Sequence, residues 1–132
     1  MEFFEIFLNQ FTFDLKFIIA LFIFFCIDFL CGFSKGLFIE GVSSTKLKKS
    51  VTKLIAYVGL ILMCLTLDTL IILAVNKDSS YIAVGATVAT CGIEAKSIVE
   101  NLKELGIDIP EIVLTGIKLI TNSNKEETNE NE

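Results

Sequence analysis

The sequence predicts an all-α integral membrane protein with three transmembrane helices, an N-terminal amphipathic helix and a C-terminal cytoplasmic amphipathic helix. Three observations carry that prediction. Leu54 to Val75 is a nearly unbroken apolar run with one carboxylate, Asp68, near its far end. About 20 such residues, each rising ~1.5 Å, span the ~30 Å hydrocarbon layer of a bilayer. A soluble core helix would keep a polar face, and this run has none. Apolar residues make up 53% of the 132-residue chain, twelve Phe among them, and fall in long blocks, as in small membrane proteins. Finally, Ser34 to Lys53 carries five lysines against Glu40 alone, a net charge of +4, which by the positive-inside rule makes it a cytoplasmic loop.

The elements follow in order. In residues 1–13, Phe3, Phe4, Phe7, Leu8 and Phe11 recur at helical spacing opposite Glu2, Glu5, Asn9 and Gln10. This pattern predicts an amphipathic helix in the membrane interface; the same residues could instead extend the first spanning helix outward. They do not form a secretory signal, since Glu stands where Lys or Arg is needed and no small-residue cleavage site follows. The three-helix transmembrane domain occupies residues 14–99, with spans at about 15–37, 54–75 and 81–99. In the loop between the first two, Gly36, Gly41 and Ser43-Ser44-Thr45 read as a turn. Lys46, Lys48, Lys49 and Lys53 set the topology. With this loop inside, the N-terminus lies outside, NKDSS at 76–80 forms an outer turn and Tyr81 is an interfacial aromatic.

The third span is the least apolar. Ser80, Thr87, Thr90, Glu94, Ser97 and Asn101 follow one helical stripe, and Gly85, Ala89 and Gly92 form a small-residue face suited to close helix packing. Thr87, Thr90, Glu94 and Ser97 are therefore candidate pore-lining residues; the competing role for the stripe is interhelical hydrogen bonding. Residues 100–121 form a cytoplasmic helical segment in which Gly106 is a C-cap and Asp108-Ile109-Pro110-Glu111 starts a new helix. Residues 122–132 are polar and acidic and read as a disordered tail.

The chemistry is limited. The chain has no histidine, so neither Ser/His/Asp nor Cys/His nucleophile arrangements can form. All four cysteines, Cys26, Cys31, Cys64 and Cys91, sit in apolar segments, where they act as small hydrophobes, and their spacing matches no zinc pattern. No cofactor, metal or nucleic-acid partner is expected. The intramembrane carboxylates Asp28 and Asp68 fall on antiparallel helices toward opposite faces, too far apart to share a proton as catalytic aspartates do. Carboxylates in a bilayer face protein or water rather than lipid. Asp28 is expected either to cap or pair near the cytoplasmic interface, with Lys35 or Lys53 as partner, or to serve function directly. Asp68, on an otherwise apolar face, is expected to make an interhelical contact.

Asp28-Phe29-Leu30-Cys31-Gly32, the Ser43-Ser44 and lysine loop, Lys53, Asp68, the stretch Glu94-Ala95-Lys96-Ser97-Ile98-Val99-Glu100-Asn101, Leu105-Gly106 and Pro110 together resemble the phage lysis and toxin secretion holins of low-GC Gram-positive bacteria, the clostridial toxin-export holin included. The resemblance covers Phe25 to Leu114. It implies a protein that accumulates in the cytoplasmic membrane, associates with itself and opens lesions that release an endolysin or a folded toxin, cargo it need not bind directly. An antiholin or other non-lytic membrane partner, or a small ion or solute channel, are the alternatives.

Overall fold

The computed structural model describes residues 2–129, with side chains described through residue 122. Four helices, α1 (Glu2–Lys35), α2 (Ser44–Val75), α3 (Ile82–Glu104) and α4 (Glu111–Asn129), are joined by short connections, the first of which opens with a π-helical turn at Gly36–Glu40. Three stretches, Glu2–Glu40, Ser44–Val75 and Ile82–Glu104, are long and apolar enough to cross a membrane.

The boundaries differ from the sequence-based ones in instructive ways. Residues 1–13 were expected as a separate interfacial helix, yet from Glu2 the backbone runs unbroken into the first span. No Gly or Pro occurs before Gly32, so nothing in the chain favours a break. Helix α2 starts at Ser44 rather than Leu54, because Ser43, in an extended conformation, accepts a hydrogen bond from the Lys46 N–H at 3.3 Å and caps it. The lysine-rich turns that follow are good helix formers, so helical length exceeds apolar length. Asn76 ends α2 in the left-handed region at φ 53°, which Asn tolerates better than most residues.

Helix α3 closes in a Schellman motif. The Ile107 N–H donates to the Leu102 carbonyl and the Gly106 N–H to that of Lys103, both at 3.0 Å. Gly106 sits at φ +80°, as its expected capping role requires. Helix α4 continues past Thr121 to Asn129, so residues 122–129 are helical where a disordered tail was expected. Their lack of apolar side chains removed the packing argument for a helix, but Lys125, Glu126 and Glu127 are good helix formers and neither Gly nor Pro intervenes. Residues 130–132 lie outside the described residues.

Helix α3 packs against α1, α2 and α4, and among the described residues α4 packs on α3 alone. The most polar span is thus the central one. The apolar surface is carried outward by the other two, with Phe22 57% and Ile55 66% exposed beside Ile23, Leu30, Val58 and Leu62. A small apolar core joins Cys64, Leu65 and Ala83, with Phe7, Leu60, Ile61 and Ala86 against it. This inside-out distribution suits a lipid surround, in which apolar exterior residues meet acyl chains and polar groups must find partners within the bundle.

Candidate functional site

Polar side chains buried between the helices gather in two clusters. The first lies near the lysine-rich start of α2. Lys53 Nζ is 2.9 Å from Asp28 Oδ2 on α1 and 2.8 Å from Glu94 Oε1 on α3. Tyr57, one turn beyond Lys53, donates its hydroxyl to Glu94 Oε1. Asn101, two turns beyond Glu94, donates its amide to Asp28 Oδ1 at 3.2 Å. One ammonium therefore bridges two carboxylates from different helices, and Glu94 is fully enclosed. Of the two partners considered for Asp28, Lys53 is the one used. Lys35 turns to Glu40, at 3.3 Å, and to Glu104.

The second cluster closes the opposite end. Asp68 is wholly buried and caps α3: Oδ1 accepts from the Ser80 hydroxyl at 2.6 Å and the Ile82 N–H at 2.9 Å, and Oδ2 from the Ala83 N–H at 2.8 Å. A carboxylate on α2 thus stands at the positive end of the α3 dipole. Gln10 of α1 donates to the Ser80 carbonyl at 2.8 Å. Asp14, one turn on, is also buried. Asp68 is 15 residues beyond Lys53 on α2, about 22 Å along the axis. Asp28 and Asp68 therefore belong to separate clusters and form no dyad. Among the described residues no group of three or more His, Cys, Asp or Glu could hold a metal ion.

The candidate pore-lining stripe faces inward in the single chain. Thr87, Thr90 and Glu94 are buried and Ser97 is half-buried. The threonine hydroxyls donate to carbonyls of their own helix, Thr87 to Ala83 and Thr90 to Ala86, both at 2.7 Å, so only Ser80, Glu94 and Asn101 of the stripe bond across helices. On the small-residue face, Gly92 seats α4: a Cβ there would come within 3.3 Å of Thr121 Oγ1 and 3.5 Å of Ile120 Cγ2. Gly85 faces open space, and Ala89 is half-buried. Among the topology lysines, Lys46 pairs with Glu40, and Lys48 and Lys49 are exposed.

Sequence reasoning missed Tyr57, Gln10 and Asp14. Their signal was present: Lys53 with Tyr57, and Gln10 with Asp14, each place two polar groups four residues apart on one face of an apolar helix. Two buried carboxylate oxygens, Asp14 Oδ2 and Glu94 Oε2, have no hydrogen-bond partner among the described residues. An enclosed acceptor without a donor destabilises the closed bundle relative to any arrangement that admits water.

No curated protein and no solved structure matches the chain significantly. The bacteriophage holin family matches residues 3–122. That match reaches well before Phe25, so the N-terminal part of α1, outside the resemblance drawn from motifs, is part of the family pattern. Five of the residues that carried the resemblance, Asp28, Lys53, Asp68, Glu94 and Asn101, sit in the two clusters. Three membrane-length helices around a polar interior, together with a family match over nearly the whole chain, show that this protein belongs to the bacteriophage holin family.

Proposed function

We propose that this holin accumulates as lipid-compatible protomers in the bacterial cytoplasmic membrane, associates with further copies of itself and opens pores that release an endolysin or a folded toxin. The observation that carries the reading is the placement of the most polar span, α3, inside a shell whose α1 and α2 faces are apolar. As protomers gather, α3 turns its stripe of Thr87, Thr90, Glu94 and Ser97 toward a shared lumen, where water replaces the contacts that Glu94 makes within one chain. The open space beside Gly85 gives neighbouring subunits room for close approach. The function is physical rather than enzymatic, and cargo passes without being bound.

Expression in bacteria is expected to collapse the membrane potential and, with an endolysin present in the cytoplasm, to lyse the culture. Undisturbed growth and potential at confirmed membrane levels would overturn the reading and favour an antiholin. Loss of potential with the endolysin retained would favour a small ion or solute channel.

The proposed orientation has the N-terminus and the 76–80 turn outside and α4 in the cytoplasm, as the lysines of segment 34–53 direct. A membrane-impermeant maleimide is expected to label Ser79→Cys in intact cells and to label Ser123→Cys only after permeabilisation. The reverse pattern would invert the topology, and labelling of both in intact cells would mean that α3 does not cross.

A further inference from the structure

One feature has no part in the pore. A cavity of about 220 Å³ lies between the end of α1 and the start of α2. Its lining mixes the apolar Phe29, Phe33, Val42 and Leu47 with the polar Ser43, Ser44, Ser50 and Lys46. Asp28 and Asn101, already bonded to each other, also line it. It lies where the apolar run of α1 gives way to the lysine-rich turns of α2, and such a change from apolar to cationic residues is suited to the boundary between acyl chains and headgroups.

We infer that this cavity is a binding site for an anionic phospholipid, with the headgroup phosphate against the serine hydroxyls and Lys46 and the first acyl carbons against Phe29 and Phe33. Charge complementarity favours this occupant over a neutral lipid. Segment 34–53 carries +4; Lys35 and Lys53 are held by acids of the bundle, while Lys48 and Lys49 lie exposed on the adjoining turn of α2 beside Lys46. Basic pockets between membrane helices hold anionic headgroups, and nearby lysines add attraction to an anionic surface. The mixed lining favours a lipid over a free anion, because inorganic phosphate would leave Phe29 and Phe33 without an apolar partner in the cavity. Glu40, which holds Lys46 and Lys35, gives up part of the Lys46 charge when a phosphate arrives.

The test uses the full-length protein purified in neutral detergent, with short-chain phosphatidylglycerol, short-chain phosphatidylcholine and inorganic phosphate titrated separately and binding read by native mass spectrometry and by Tm. Phosphatidylglycerol is expected to bind at least tenfold more tightly than phosphatidylcholine and to raise Tm, with phosphate unable to displace it at equal concentration. Ser50→Leu fills the cavity from α2 and Gly32→Val from α1. Neither removes a charge, and a Cβ at Gly32 meets only Asn101 Nδ2 at 3.8 Å. Each is expected to abolish the preference for phosphatidylglycerol while the lipid-free Tm changes little. Retention of the preference in both variants would overturn the site, leaving only diffuse attraction to the lysines. Equal binding of both lipids, or displacement by phosphate, would also overturn it. Should one variant fail to fold, the other decides the question alone.

Discussion

Lys53→Met is expected to be among the most destabilising single substitutions in this chain. Methionine keeps the length and helix propensity of lysine, so α2 itself is not at stake. What is lost is the one cation 2.9 Å from Asp28 and 2.8 Å from Glu94. Both carboxylates then stay in the bundle interior without a counter-charge. Removing one partner of a buried ion pair costs about 3–5 kcal/mol, and since the Lys53 side chain is 29% exposed, the low end of that range applies. Tm of the purified protein and resistance to denaturing detergent should both fall sharply. Adding Asp28→Asn and Glu94→Gln to Lys53→Met should restore most of the loss, because the neutral amides no longer need a cation. A Lys53→Met protein that melts with the wild type would show that the cluster does not hold the bundle. Glu94→Gln alone should leave stability nearly unchanged, since the amide oxygen still accepts from Tyr57 and Lys53. In lysis assays it separates two roles: a shifted onset places Glu94 in contact with lumen water, whereas unchanged timing and oligomer size leave it structural.

The helix inventory was legible because bilayer thickness imposes a length that an apolar run either meets or does not. Leu54 to Val75 could be read as a span for that reason alone. Helix ends were less legible wherever polar residues continue a helix beyond the apolar run, since hydropathy reports the solvent of the side chains and not the hydrogen bonding of the backbone. The ten residues before Leu54 and the turns after Thr121 are both of this kind. Gly106 and Pro110, by contrast, act through backbone geometry, and the Schellman turn stands where they direct it.

The site was half legible. The partnership of Asp28 with a nearby lysine and the interhelical role of Asp68 follow from the cost of leaving a carboxylate in hydrocarbon. The direction of the α3 stripe does not follow, because a polar stripe on a membrane helix has the same sequence whether it faces a lumen or neighbouring helices of its own chain. Only the packing of α1, α2 and α4 around α3 distinguishes the two for a single protomer. Under the proposed function, the inward stripe accounts for a closed protomer: Thr87 and Thr90 bond to their own backbone, and Glu94, the one carboxylate of the stripe, is held by Lys53 and Tyr57. Pore opening in this scheme is a competition between those internal contacts and water shared among protomers.

Asp68→Ala should shift that competition from the other end. The Asp68 carboxylate receives three hydrogen bonds from Ser80, Ile82 and Ala83, fastening the start of α3 to α2. An ordinary cap is worth about 1 kcal/mol, and a hydrogen bond to a charged group about 1.5–3 kcal/mol. Alanine removes all three acceptor contacts together and leaves the Ile82 and Ala83 N–H groups without their acceptor, that of Ala83 buried, so a loss of about 3 kcal/mol is expected. Asparagine keeps one carbonyl oxygen and should fall between, giving the stability order Asp, Asn, Ala in thermal unfolding. Hydrogen exchange should localise the damage, with faster exchange at the first turn of α3 and little change near Glu94, because the two clusters stand about 22 Å apart. The consequence for function follows from the same geometry. With its first turn released, α3 is free to turn while Lys53 still holds Glu94, so under the proposed function lysis should begin earlier at equal membrane levels rather than fail. Delayed or absent lysis from a stably folded Asp68→Ala protein would mean that the cap belongs to the open pore and not to the closed protomer.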